Sequence, residues 1–344
     1  MIAPEMFSPG RFVFHFYIMK IALTGASGRI GNVVARRLLD AGHHLRVLQR
    51  RDKPSLAGLP LERVSGHLLD RPSLEVLAGG CEALIHLAGL ISVHGDLGGE
   101  VVRINVEGTR QVLEASLARG LRRVIVFSSV QAFVPPPAGQ ALDESAPLAL
   151  QSPMAYNRAK AESLDLARRF ATERPLEVLT LCPTGVLGPF DFEPSLSGQM
   201  LLDFHRGHIP MLTPGGADWV DVRDVADATL AALDGGQNGS VYLLGGRYAS
   251  IGDLAATIGR VTGRRVPRLV APEWLLRSSL PLMGAWARLS GTPARFTAEM
   301  LDTLRDHPKV VSTEKARQEL GYSPRPLEET LADAFEWFKS AGYL

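Results

Sequence analysis

Cysteine is nearly absent: Cys81 and Cys182 are the only two in 344 residues. Both lie in or beside apolar segments and read as small core residues, so neither a disulfide framework nor a thiolate metal site is expected. Charge of one sign is missing as well. The 37 basic and 36 acidic residues leave a formal charge of +1. That supplies neither a nucleic-acid surface nor an acidic tail, and small molecules are the expected partners. No apolar run reaches the ~20 residues of a membrane span; the candidate in the C-terminal third, Leu280 to Leu289, is broken by Arg288. Residues 1–18 lack a basic leader and a small-residue cleavage site. They read as a disordered extension ahead of Met19, where the first strand begins. A soluble, cytoplasmic protein without internal repeats is the expectation.

What is present is concentrated in one stretch. Lys20 to Thr24 reads as a buried strand, which passes into Gly25, Gly28 and Gly31, and these into a helix-compatible segment, Asn32 to Asp40. In the spacing G-x-x-G-x-x-G, Gly25 lets the chain turn off the strand and Gly28 lets backbone N–H groups approach a pyrophosphate. Gly31 lets the helix pack closely on the sheet. The helix N-terminus then offers its partial positive charge to the phosphates.

Further strands follow at His44 to Leu48, Leu61 to Val64, Ala83 to Gly89, Arg122 to Phe127, Leu176 to Leu181 and Ser240 to Leu244. Helical spacing separates them at Pro72 to Ala78, Glu100 to Arg119 and Pro153 to Phe170. This alternation predicts an α/β fold with a doubly wound parallel sheet. Residues 19–189 and 217–265 are assigned to a dinucleotide-binding domain, and 190–216 with 266–344 to a smaller substrate lobe. The second strand ends in Gln49-Arg50-Arg51, about 20 residues past the glycines, where such folds select their ribose. No acid stands there to accept from a 2′-hydroxyl. Arg50 or Arg51 suits a 2′-phosphate, so NADP is favoured over NAD. Gly66-His67-Leu68 should pass near the adenine edge, and His86 reads as a core histidine.

Three polar residues carry potential chemistry. Tyr156 and Lys160 are one helical turn apart on the same face, and a lysine there should stabilise a phenolate and lower its pKa. Such a tyrosine can act as general acid or base. Lys160 could also donate to ribose hydroxyls, and Ser129, just after a strand, could hydrogen-bond a substrate oxygen as charge develops on it. The Asn105 amide could hold a water or a backbone group near the site.

TGASGRIG at 24–31, HLAG at 86–89, NVEGTRQVLEA at 105–115, VFSSVQAF at 126–133, YNRAK at 156–160, PTGVLGP at 183–189 and WVDVRDVA at 219–226 together resemble the extended short-chain dehydrogenase/reductase family. That family is also described as NAD-dependent epimerase/dehydratases, and the resemblance runs from Met19 to Leu344. It implies a Rossmann-type fold and a triad of Ser129, Tyr156 and Lys160, supported by Asn105. Ser129 is preferred to Ser128 because it stands four residues before Phe133. The resemblance also implies cofactor contacts from Gly25, Ser27, Gly28, Arg29, Ile30 and Gly31, from Arg50, His67 and Leu68, from Leu87, Ala88 and Gly89, and from Tyr156, Lys160, Pro183 and Val186. A homodimer through the Asn105 and Tyr156 helices is a further implication. Where the family often has Gly-Asp-Leu this chain has Gly66-His67-Leu68, and Cys182 replaces a common arginine.

Two departures bear on the reaction. The Asp-Glu pair typical of the family's sugar dehydratases is here Val130-Gln131. The arginine that nucleotide-sugar epimerases place before an aromatic is replaced in Ala217-Asp218-Trp219, which removes a bidentate phosphate clamp. The chain is therefore more similar to the dihydroflavonol-reductase and 3β-hydroxysteroid-dehydrogenase branch, with Phe190, Phe192, Trp219, Trp274 and Trp286 as an apolar set for the substrate body or the lobe's own core. An NAD(P)-dependent oxidoreductase acting on a carbonyl or secondary alcohol is the leading expectation. An NAD-retaining nucleotide-sugar epimerase and a non-catalytic NADP-binding sensor are the alternatives.

Overall fold

The computed structural model describes residues 18–290 and 297–344. The segment read as an N-terminal extension, apart from Ile18, and the side chain of Trp286 lie outside the described residues. Among the described residues there are ten strands: β1 (Lys20–Thr24), β2 (His44–Gln49), β3 (Leu61–Ser65), β4 (Ala83–His86), β5 (Arg123–Phe127), β6 (Glu177–Pro183), β7 (Gly185–Leu187), β8 (Gly216–Asp221), β9 (Val241–Leu244) and β10 (Arg247–Ser250). Seven of them form the expected doubly wound sheet in the order β3-β2-β1-β4-β5-β6-β9. Every pairing in it is parallel.

The apolar runs in these strands are continuous because both faces of the sheet are covered. Alternation along each strand sends Ile21, Leu23, Ile85, Ile125 and Leu179 to one face and Ala22, Leu84, Val124, Val126 and Val178 to the other. Helices α1 (Arg29–Asp40) and α7 (Val222–Asp234) cover the first face through Val33, Val34, Leu38 and Val225. On the second lie α2 (Arg71–Ala78), α4 (Gly108–Ala118) and α5 (Ala155–Glu173), through Leu74, Leu77, Val112, Leu113 and Phe170. Leu23 is fully buried between β2 and β4, so its truncation to alanine should cost about 2–5 kcal/mol. Between α3 (Glu100–Val102) and α4 the chain makes a π-helical turn, Arg103–Glu107, of the kind that often marks functional positions.

A second, three-stranded sheet has the order β10-β8-β7. Its core joins Leu187 and Trp219 to Leu201 and Phe204 of α6 (Leu196–Arg206), Leu254 and Ile258 of α8 (Ile251–Thr262), and Leu331, Phe335 and Phe338 of α12 (Leu327–Ser340). Residues 217–221 and 247–262, which strand alternation assigned to the dinucleotide domain, therefore build this second unit. Conversely Ala316 and Leu320 of α11 (Glu314–Leu320), assigned to the lobe, pack in the main sheet's core. Alternation reveals that a strand exists but not which sheet it joins. Helices α9 (Glu273–Ser290) and α10 (Ala298–Asp306) complete the second unit and meet through an Arg277–Asp302 ion pair. The aromatic set divides. Trp219 is buried, Phe190 and Phe192 pack against Trp337, and Trp274 is exposed.

Candidate active site

Strand order reverses between β1 and β4, and the crevice at their carboxyl ends is where such sheets take ligands. The glycines are fixed there by contact. Gly25 has a φ of +73°, and a Cβ on it would lie 2.5 Å from the Ala88 nitrogen. A Cβ on Gly31 would lie 2.0 Å from the Gly25 carbonyl oxygen, whereas one on Gly28 would meet only that oxygen, at 3.3 Å. Gly28 is thus open on the side where a ligand would approach. Helix α1 starts with no side-chain cap, which leaves the first-turn N–H groups of Arg29, Ile30 and Gly31 without intrahelical partners. Ser27 is held from behind, its carbonyl accepting from the Ser55 hydroxyl at 3.0 Å.

The Arg29 side chain does not face this opening. Its Nη1 donates to Ser195 and Ser197 hydroxyls at 2.7 Å each and lies 3.6 Å from Asp191. Only its backbone is placed for a phosphate. Asn32 Nδ2 donates to the Phe190 carbonyl at 3.1 Å, and Arg36 stacks 5.5 Å from the ring centres of Phe190 and Phe192. This strap between α1 and residues 190–197 escaped sequence reading, because no local pattern links Arg29 to a carboxylate 162 positions later.

Arg50 and Arg51 are exposed, and among the described residues neither pairs with an acid. His67 folds onto its own loop, its Nδ1 accepting from Leu69 N–H at 3.2 Å. The Leu68 side chain is turned into the core against Gly108, so only its backbone could meet adenine. At the β4 end, Leu87 and Ala88 donate to the Thr24 carbonyl and hydroxyl at 3.2 and 3.3 Å. Pro183 is buried at the end of β6, and Val186 is half-buried beside the main core.

Asn105 sits in the π-helical turn and uses its amide on backbone groups. Its Nδ2 donates to the carbonyls of Leu90 and Val101, both at 2.8 Å, and its Oδ1 accepts from Leu90 N–H at 3.3 Å. A Cβ on Gly89 would lie 2.6 Å from that Oδ1 and 3.5 Å from Lys160 Nζ. Asn105 thus ties the Leu90 backbone, next to Gly89, to the π-helical turn.

Ser129, Tyr156 and Lys160 come together. The Ser129 hydroxyl accepts from Gln131 N–H at 3.2 Å and pairs with the Tyr156 phenol. Ser128 instead donates to the Lys160 carbonyl at 3.2 Å, which separates the roles of the two serines. Lys160 Nζ donates to the Phe127 carbonyl at 3.0 Å and lies 5.9 Å from the Tyr156 ring centre. Removal from water pushes the phenol up to about 12 against the pull of the Ser129 hydrogen bond, and lowers Lys160 to about 8. The expected lowering of the phenol by Lys160 is thus not the outcome here. The ammonium is spent on a carbonyl and lies over the ring, and burial prevails. Cys182, fully buried behind them, is lifted to about 12 by burial and stays a thiol. His86 bridges Thr24 and Thr109 hydroxyls at 2.7 and 3.1 Å and is held neutral, down to about 3, chiefly by burial. A cleft beside the triad is lined by Val130, Gln131, Met154, Asn157, Thr303 and His307.

Residues 21–245 match the family model described as the NAD dependent epimerase/dehydratase family. The chain belongs to that family. Among members of the epimerase/dehydratase family, "Sterol demethylase protein B" of Methylococcus capsulatus is 33% identical over 95% of this chain and 100% of its own length. "Cinnamoyl-CoA reductase 1" of Oryza sativa is 31% identical over 94% and 91%. The crystal structure of gox2253 superposes with a TM-score of 0.82 at 32% identity, over 95% of this chain and 100% of that one. Membership brings NAD(P) dependence and the extended short-chain dehydrogenase/reductase fold. The tight cradle at Gly25, Gly31 and Gly89 and the uncapped start of α1 fit a dinucleotide.

Proposed function

We propose that this protein is an NAD(P)-dependent oxidoreductase moving hydride between the nicotinamide and a carbonyl or secondary alcohol of a small, partly apolar substrate. The pairing of the Tyr156 phenol with Ser129 above buried Lys160 carries this reading. When bound, the coenzyme supplies or accepts the hydride. Gly25, Gly28, Gly31 and the first-turn N–H groups of α1 would hold its pyrophosphate, and Leu87 to Gly89 its nicotinamide side. Arg50 and Arg51, exposed and without an acidic partner among the described residues, favour the 2′-phosphate of NADP.

In the reducing direction, Tyr156 is protonated throughout the neutral range and gives its proton to the carbonyl oxygen as negative charge develops there. Ser129, already accepting from Gln131 N–H, has its own hydroxyl proton to direct at the same oxygen. Lys160 keeps a positive charge at pH 7 that opposes the charge left on the phenolate oxygen. In the oxidising direction the same atoms take the proton back. The cleft, in which Val130, Phe133, Met154 and prolines stand beside Gln131, Asn157 and His307, suits a carbonyl compound with a hydrophobic body. The reductase among the relatives, acting by its name on cinnamoyl-CoA, supports that class. Val130-Gln131 supports it over dehydration, and Ala217 in place of a phosphate-binding arginine supports it over nucleotide-sugar epimerisation.

The test is turnover of NADPH and NADH with a panel of ketones and aldehydes. Oxidised coenzyme released in step with alcohol, with NADPH preferred and the preference reduced in Arg50→Glu and Arg51→Glu, is the expected result. Retention of coenzyme with inversion at a sugar carbon would establish the epimerase instead. Tight coenzyme binding without turnover of any carbonyl would establish the sensor.

A further inference from the structure

Helix α9 wears its polarity inside out over its described turns. Its charged residues, about a third exposed, pair with one another and with α10: Glu273 with Arg277 at 2.8 Å and with Arg305 at 3.2 Å, and Arg277 with Asp302. The outward stripe is Trp274, Leu275, Ser278 and Leu282, residues at helical spacing with no charge among them. Trp274 is 69% and Leu282 75% exposed.

The arm leading into this helix extends the same surface. Backbone hydrogen bonds between Leu212 and Leu269, and between Ala271 and Leu212, at 2.8 and 2.9 Å, pin it. Leu269 and Val270 are left exposed while Ala271 is buried. Arg264, Arg265 and Arg268, earlier in the same arm, are exposed, and among the described residues none has an acidic partner. Glu273 is the one acid between positions 264 and 282, and it is neutralised inward. An exposed apolar stripe with a tryptophan, led into by an arm that carries three exposed arginines, complements a surface that is anionic outside and apolar beneath.

We propose that residues 264–282 dock this protein on the headgroup layer of an anionic lipid bilayer, with Trp274, Leu269 and Leu282 entering the headgroup boundary and the arginines meeting lipid phosphates. Helix α9 is tied by ion pairs to α10, whose Thr303 lines the cleft beside the triad. Docking does not depend on the proposed reaction.

The experiment is flotation of the full-length protein with vesicles of phosphatidylcholine alone or with 30% phosphatidylglycerol. Binding to the anionic vesicles, weak binding to the neutral ones and loss at high salt are expected. Arg264→Gln/Arg265→Gln/Arg268→Gln should weaken binding about fivefold per arginine, on the order of a hundredfold together. Trp274→Ser should weaken it roughly tenfold. Both variants should keep the wild-type melting temperature and coenzyme affinity. Equal flotation of wild type and both variants, or none for wild type, overturns the proposal. So does a wild-type dimer in light scattering that Trp274→Ser dissolves, since the stripe would then be covered by a second copy.

Discussion

Acidification should destabilise this protein through His86, and the size of the effect follows from its surroundings. The ring is 2% exposed, has both nitrogens engaged by threonine hydroxyls, and is held down to about 3 by burial, with the Lys160 charge adding to it. In the unfolded chain it titrates near ~6.5. Between these values the unfolded state binds a proton that the native state refuses, so stability present above pH 6.5 is lost as pH falls. At pH 5 the loss amounts to about 2 kcal/mol, growing by about 1.4 kcal/mol for each further unit down to the folded value. Asp224 works the other way. Burial lifts it to about 6, so it contributes relative stability as pH falls through 6, but it does so equally in a His86 variant. Urea unfolding at pH 7 and pH 5, followed by tryptophan fluorescence, should therefore show wild type losing about 2 kcal/mol more than His86→Gln. Equal losses in the two proteins would refute the reasoning.

Gly31→Ala forces a methyl onto the Gly25 carbonyl at 2.0 Å; a melting temperature several degrees lower and NAD(P)H affinity reduced at least tenfold are expected, read by calorimetry. Asp191→Ala leaves buried Arg29 without its nearest carboxylate and should cost about 3–5 kcal/mol in urea unfolding. Adding Arg29→Met should restore part of that stability, and an unimproved double variant would show that the pair is not coupled. Reductase activity should fall as pH rises through about 8, where Lys160 loses its charge. Lys160→Arg should move that limb of the kcat/KM profile above pH 10, and an unmoved limb would assign it to another group.

The main sheet was legible in the sequence because its strands are buried on both faces and so read as unbroken apolar runs, as in Ala22-Leu23 and Val124-Ile125-Val126. The glycine loop was legible because close packing admits nothing larger at Gly31. Ser129, Tyr156 and Lys160 could be named from order and spacing, and their convergence is visible only in the fold. Three features lay beyond reach for a common reason: they depend on partners far away in the chain. The Trp219 strand joins a second sheet through Gly185 and Arg247. The Leu68 side chain is drawn into the core under Gly108, and Arg29 turns to Asp191. The upward shift of the Tyr156 phenol was missed because spacing places Lys160 on the right face without revealing how fully the fold removes the phenol from water.

The most direct measurement is the single-turnover rate of NAD(P)H oxidation by Tyr156→Phe beside wild type, at saturating carbonyl substrate. Removal of the proton donor, with Ser129 and Lys160 left in place, should slow that step about 10²- to 10⁴-fold while coenzyme affinity stays within a few-fold. A Tyr156→Phe enzyme that turns over at the wild-type rate would contradict the account.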